Sequence, residues 1–303
     1  MKLIIDTDPG VDDALAIALA VGLPDADLIG LTTVFGNTFV PQSSRNARFL
    51  LDLYGVDCPV AEGAALPWGA TVYQPADNVH GPEGLGARAD IPQIGRNADE
   101  DAADFLIRMA RTHAGALTIC AIGPLTNIAD ALARDPDFAR NVGQLVIMGG
   151  AFEVPGNITP DAEANLYHDA PAADAVFQSD LKVAMVGLNA TLQTLLTPDD
   201  LSGMASAAPK VGGFLAEIHD FYFGFYRSVG LMDGCPMHDA TAVLACLYPE
   251  RFDWADVGLR VVTDGAAIGQ TVRDDTRPAV RVAVGVAAVW AVALAKETVA
   301  QFD

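Results

Sequence analysis

Basic residues are scarce in this chain. Lysine and arginine together number 18 against 39 aspartates and glutamates, a formal charge of −21. A surface that negative repels phosphate backbones, so a nucleic-acid partner is not expected. Cysteine is scarce too: Cys58, Cys120, Cys235 and Cys246 lie far apart, with no CxxC spacing. Neither a zinc site nor a disulfide framework is suggested, and reduced thiols in a cytoplasmic protein are the expectation. Long apolar runs are missing. The longest, Val282 to Ala295, is Ala-rich, bracketed by Arg281 and Lys296, and shorter than a membrane span needs. Met1 to Ile5 carries one lysine and stops at Asp6, which is no secretory signal. What remains, 51% hydrophobic against 19% charged residues, supplies the core of a soluble, ordered chain.

The apolar residues come in short runs. Leu3-Ile4-Ile5 stops at Asp6-Thr7-Asp8-Pro9-Gly10, and helix formers follow from Asp13 to Ala20. Leu28 to Val34 reads as a strand ahead of a helix from Gln42 to Tyr54. Leu117 to Ala121 runs into Gly123-Pro124 and an Ala/Leu segment. Leu145 to Met148 ends in two glycines, and Val183 to Val186 ends in Gly187. Such runs, punctuated by Gly or Pro and alternating with helices, predict an α/β fold: one domain over residues 1–303 with an open, mostly parallel sheet flanked by helices. Ligands of such sheets bind at the carboxyl ends of the strands. Two polar segments, Glu62 to Arg96 and Glu153 to Asp169, read as long functional loops. The glycines do not form GxGxxG, so a dinucleotide site is not supported.

Four carboxylates, Asp6, Asp8, Asp12 and Asp13, crowd the carboxyl end of the first strand. A turn and a helix cap account for one or two of them. Four like charges there resist ionising together unless a cation compensates, and hard oxygen ligands suit Ca²⁺ or Mg²⁺.

The stretch Asp6-Thr7-Asp8-Pro9-Gly10-Val11-Asp12-Asp13-Ala14 resembles the N-terminal signature of the inosine-uridine-preferring nucleoside hydrolase family. The likeness continues in order through Thr32-Thr33-Val34-Phe35-Gly36-Asn37, His80-Gly81, Gly123-Pro124-Leu125-Thr126-Asn127, Met148-Gly149-Gly150, Gly156-Asn157, Glu163-Ala164-Asn165 and His238-Asp239. The first motif is highly specific, and the later ones gain weight from their order. The resemblance implies a nucleoside hydrolase-like domain with a Rossmann-like core, hydrolysing ribonucleosides to ribose and free base.

The resemblance also implies roles. One Ca²⁺ per subunit would be held by Asp8, Asp13, Asp239 and the main-chain carbonyl of Ile122, orienting the ribose diol and the attacking water. Asp8 would be the general base and His238 the leaving-group acid. Asp12 and Asn165 would hold the ribose hydroxyls, and Asn157 and Glu163 the 5′-hydroxyl. Asn37, Met148 and His80 would line the pocket, Tyr226 would cover the base, and Asp6 would steady Asp8. His113, His168 and His219 receive no role. At Gly230 related enzymes carry a larger polar or aromatic residue, which leaves base preference open. The family further implies a homodimer or homotetramer. Taken singly, Asn157, Asn165 and Met148 read first as ordinary turn and core residues, and the ordered match is what turns them into site residues.

Two rival readings come from other classes. Asp6-Thr7-Asp8 also resembles the nucleophile of a haloacid dehalogenase-type phosphatase, which needs a lysine for phosphate; only Lys2, Lys182, Lys210 and Lys296 are present, none in a convincing loop. A non-catalytic sugar- or nucleoside-binding protein is the other.

Overall fold

The structure, a computed structural model, describes residues 1–231 and 234–302; Asp303, the last position of the expected domain, lies outside them. Its strands are β1 (Lys2–Thr7), β2 (Asp27–Thr33), β3 (Val60–Glu62), β4 (Leu117–Ala121), β5 (Val142–Met148), β6 (Val183–Val186), β7 (Leu195–Leu196), β8 (Cys235–Pro236), β9 (Phe252–Val261), β10 (Thr271–Arg273) and β11 (Ala279–Val286). Nine form one sheet in the order β10-β9-β11-β6-β5-β4-β1-β2-β3, and β7 pairs with β8 apart from it. From β11 through β3 every pairing in that order is parallel, while β9 joins β11 and β10 antiparallel.

The central strands are apolar because both faces are covered. Leu3, Ile4 and Ile5 have no exposed surface, and two buried clusters occupy opposite sides of the sheet. The helix Val11–Gly22 is buried from Val11 to Ala20, packed against His238–Leu247 and Ala288–Val299. Alanines along these helices let the backbones approach closely.

The chain passes from β1 outward to β2 and β3, then returns to β4 on the other side of β1 and continues outward through β5 and β6. The direction of winding therefore reverses between β1 and β4, which opens a crevice beyond their carboxyl ends. Asp8, Asn37, Ile122 and Met148 end or follow β1, β2, β4 and β5, so the topology brings them to one place.

Local differences from expectation are small. The expected helix from Gln42 begins at Val40, with Pro41 in its first turn. The expected loop Glu153–Asp169 contains a helix, Ala164–His168, capped by the Glu163 carboxylate. Glu62–Arg96 holds the short helix Asp77–His80. The apolar run Val282–Ala295 is the end of β11 and most of the helix Ala288–Val299. Among the described residues no helix is long and apolar enough to cross a membrane.

Candidate active site

Asp6, Asp8, Asp12, Asp13 and Asp239 are all buried. Among the described residues the one basic group at ion-pair distance from them is His80, whose Nδ1 lies 3.7 Å from Asp12 Oδ1. Burial pushes Asp6 up to about 7 and Asp12 up to about 6. Asp8 and Asp239 are held well above the usual carboxylate range, by burial first and then by neighbouring charge, Asp13 for the former and Asp12 for the latter. Asp13 is raised by burial and by Asp12. Among the described residues Asp8 Oδ1 and Asp12 Oδ1 are buried with no hydrogen-bond partner. One carboxylate oxygen each from Asp12, Asp13 and Asp239 lie within 4.8 Å of one another. Orphaned hard oxygens that repel each other fit a divalent cation. The trio at this spacing contains Asp12 where the expectation had Asp8, which sits beside it.

The simpler roles are filled as well. Asp13 accepts from Thr7 Oγ1, from the Gly10 N–H at 2.9 Å and from Asn37 Nδ2 at 3.0 Å, so it also caps its helix. Asp6 was expected to steady Asp8; instead its Oδ1 accepts from Thr32 Oγ1 and Asn127 Nδ2, tying β1 to β2 and to the helix Thr126–Arg134. Asp8 is steadied by backbone. The Asn37 N–H donates to its Oδ2 at 2.7 Å, and a Cβ on Gly36 or Gly123 would collide with the carboxylate. Those glycines belong to the FGN and GPLTN motifs because only bare backbone fits there.

Above this acidic floor lies a cavity of about 710 Å³, within the range of roughly 300–1,000 Å³ common for small-molecule sites. It is lined by eleven of the fourteen residues given a role from the sequence: Asp12, Asn37, His80, Ile122, Met148, Asn157, Glu163, Asn165, Tyr226, His238 and Asp239. Asp6, Asp8 and Asp13 are buried and absent from its wall. Asn165 donates its amide to the carbonyls of Ile122 (3.0 Å) and Met148 (3.1 Å), so its oxygen is left to accept from a ligand. Glu163 accepts three backbone N–H groups, from Gly150, Asn165 and Leu166. Asn157 stands exposed at the rim, its Oδ1 accepting from the Ala164 N–H. No lysine or arginine lines the cavity among the described residues.

Another part of the lining is aromatic and apolar, with Phe225, Tyr226, Leu188 and Val229. Here the hydroxyl of Tyr226 lies 2.8 Å from His238 Nε2 and 3.4 Å from the Tyr222 hydroxyl, which donates to Asp12 Oδ2 at 3.1 Å. His238 is buried, which depresses its pKa to about 3, so the imidazole is neutral near pH 7. His80, depressed to about 4, accepts at Nδ1 from the Val11 N–H, so its hydrogen sits on Nε2. Gly230 has φ +91° just past the helix Val211–Ser228 and suits a helix terminator; Val229 and Leu231 furnish the wall beside it.

Three contributors were not anticipated. Tyr222 lies one helical turn before Tyr226, a spacing the sequence displays. His168 lines the cavity, with Nδ1 3.3 Å from the hydroxyl of Tyr73, which donates to the Gly36 carbonyl at 2.8 Å. Thr191 Oγ1 lies 2.8 Å from His238 Nδ1 and carries no motif.

The comparisons agree with this geometry. Residues 3–291 match the family described as "Inosine-uridine preferring nucleoside hydrolase". The chain is 42% identical over 272 residues to "Probable uridine nucleosidase 2" of Arabidopsis thaliana, covering 89% of this chain and 84% of the relative. It is 40% identical over 278 residues to the "Non-specific ribonucleoside hydrolase RihC" of an Escherichia coli strain, covering 90% and 88%. The solved "Plant nucleoside hydrolase - PpNRh1 enzyme" superposes with a TM-score of 0.96 at 38% identity over 99% of both chains. A "Purine-Preferring Ribonucleoside Hydrolase from Gardnerella vaginalis" gives 0.95 at 35% identity, over 99% of this chain and 98% of that one. With its acidic crevice at the β1–β4 reversal and this agreement along its length, the chain belongs to the inosine-uridine preferring nucleoside hydrolase family and is a hydrolase of N-glycosyl bonds.

Proposed function

We propose that this enzyme is Ca²⁺-dependent and cleaves both purine and pyrimidine ribonucleosides, of the inosine and uridine type, to ribose and free base. One observation carries the reading: a single cavity of nucleoside size is lined both by buried carboxylates, Asp12 with an oxygen unpartnered among the described residues and Asp239, and by aromatic residues with a Tyr–His pair. The acidic floor suits a polar diol, and the aromatic wall suits a planar base.

Asp8, Asp13, Asp239 and the Ile122 carbonyl would hold Ca²⁺, which when bound offsets their repulsion, gathers the ribose diol and acidifies water. The side chains do the rest. Asp8, fixed at Oδ2 by Asn37, keeps Oδ1 free to take the proton of the attacking water as it closes on C1′. Asp12 Oδ1 and the Asn165 oxygen accept from ribose hydroxyls, while Glu163 and Asn157 meet the 5′ end. Positive charge growing on the sugar is favoured by the acidic floor. Negative charge growing on the base is met by the Tyr226 hydroxyl, with His238 acting through it.

Breadth of base is supported by the divergent names among relatives, one for uridine, one non-specific, one purine-preferring. The test is base release by purified protein from inosine and uridine, with and without exhaustive chelation. Release from both, abolished by chelator and restored by Ca²⁺, is expected. Full activity without metal overturns the cation dependence. Phosphate release from sugar phosphates without base release favours the phosphatase reading, and ribose binding without turnover favours a binding protein.

A further inference from the structure

Thr191 ends the short helix Leu188–Thr191 behind β6 and has no exposed surface. Among the described residues its hydroxyl has one hydrogen-bond partner, His238 Nδ1 at 2.8 Å. A buried hydroxyl has a proton to place, and leaving that donor unsatisfied is costly. Were His238 Nδ1 the donor, the Thr191 proton would have no acceptor. The Thr191 O–H therefore donates and Nδ1 accepts. An accepting Nδ1 leaves the neutral ring with its single hydrogen on Nε2.

That assignment propagates. Nε2–H donates to the Tyr226 oxygen at 2.8 Å, so the Tyr226 proton does not point back into the imidazole. It points to the Tyr222 hydroxyl or into the cavity that Tyr226 lines. The Tyr222 separation of 3.4 Å is long for an O–H···O bond, and Tyr222 spends its own proton on Asp12. The weakest link in the chain is the one a bound base would replace.

We propose that Thr191 is a positioning residue for the hydrolysis: by donating to His238 Nδ1 it fixes the Nε2–H tautomer and turns the Tyr226 hydroxyl outward as donor to the departing base. This rests on the ribonucleoside-hydrolase reading of the cavity and adds the direction in which its hydrogen bonds run. Thr191, His238 and Tyr226 each donate toward the base, so charge building there polarises all three bonds together. Atoms balance without a charged histidine. Water gives hydroxide to C1′ and its proton to Asp8; the C1′–N bond breaks, its electron pair leaves with the base, and the base takes a proton from solvent after release. In the opposite tautomer Tyr226 would donate into the ring and offer the base only lone pairs.

The decisive measurement is the ¹⁵N NMR signature of His238 in the full-length, Ca²⁺-loaded enzyme. A protonated Nε2 and an unprotonated Nδ1 are expected; a protonated Nδ1 overturns the proposal. The second measurement compares kcat/KM for inosine with that for p-nitrophenyl riboside, whose leaving group needs no donor. Thr191→Val should lower the inosine-to-nitrophenyl ratio by roughly 10²-fold, the lower end of what a positioned donor contributes. Thr191→Ser, which keeps the hydroxyl, should restore most of it. Equal losses on both substrates mean a structural role and overturn the proposal. Should Thr191→Val fail to fold, the wild-type spectrum and the serine variant still decide. Failure of the wild type to release base from any nucleoside would instead defeat the functional reading, while the spectrum would still judge the Thr191 hydrogen bond.

Discussion

Asp8 owes its position to backbone more than to any side chain. One oxygen is held by the Asn37 N–H, and Gly36 and Gly123 press bare Cα atoms against the carboxylate, leaving its other oxygen buried and, among the described residues, without a partner. A neutral amide at this position would fill the same space with an N–H₂ group that cannot take a proton. Asp8→Asn should therefore keep the fold while losing the base. The expected drop in kcat is at least about 10³-fold, within the range for general-base removal. The check pairs turnover of inosine with a thermal melt and a metal titration. Near-normal turnover in a folded, metal-binding variant would remove Asp8 from the role of base. Asp12 differs in kind: it bonds to Tyr222 on the aromatic side and gathers with Asp13 and Asp239 on the acidic side, so it touches both halves of the site.

At the scale of elements, legibility followed the physics of each segment. Central parallel strands are covered on both faces, so they stand out as short continuous apolar runs, and the motifs at their carboxyl ends locate the crevice. The alternating burial of β9 and β11 belongs to strands less fully covered, a pattern that a search for continuous runs passes over. The site's polar links were hidden for another reason. Tyr222 meets Asp12 across 210 positions, Tyr73 meets His168 across 95, and Thr191 meets His238 across 47. No local pattern records such pairings; only folding makes them neighbours. The helix Val211–Ser228 is the partial exception, because Tyr222 and Tyr226 share a face by their spacing. On the proposed mechanism that helix and His238–Leu247 together present the donor to the base, and a purine, able to accept at N7, has more use for it than a pyrimidine. Tyr226→Phe, which keeps the ring and deletes the hydroxyl, should lower kcat/KM for inosine by about 10²-fold and for uridine by less, with His238→Ala following the same order. Equal small losses on both nucleosides would reduce the pair to pocket lining.

The whole molecule carries two sets of buried titratable groups whose linkages run in opposite directions. The carboxyls of the acidic floor have folded pKa values above the ordinary 3.8, about 6 for Asp12 and about 7 for Asp6, with Asp8, Asp13 and Asp239 also raised. A carboxyl so raised stabilises the fold below its unfolded pKa and loses that contribution as pH rises through the folded value. The histidines His80, His219 and His238, all buried, and the half-buried His168 are depressed from 6.5, His80, His168 and His219 to about 4 and His238 to about 3. They stabilise above 6.5 and lose that contribution as pH falls toward 4 and 3. The cation-free protein is thus squeezed from both sides. A divalent cation held as proposed would act chiefly on the carboxyl side, because it would let the floor keep its charge without repulsion and would bind the folded state. Below the carboxyl values protons already do that work, and the cation competes with them. The increase in Tm on adding saturating Ca²⁺ to chelator-treated protein should therefore be small near about pH 5 and grow steadily toward about pH 8, the window set by these raised carboxyls. Melts at matched ionic strength, with and without Ca²⁺, isolate this difference, since His168 and His219 bond to none of the floor carboxylates and contribute alike to both melts. An increment that stays flat or shrinks with rising pH would mean that the buried aspartates are not where the cation binds.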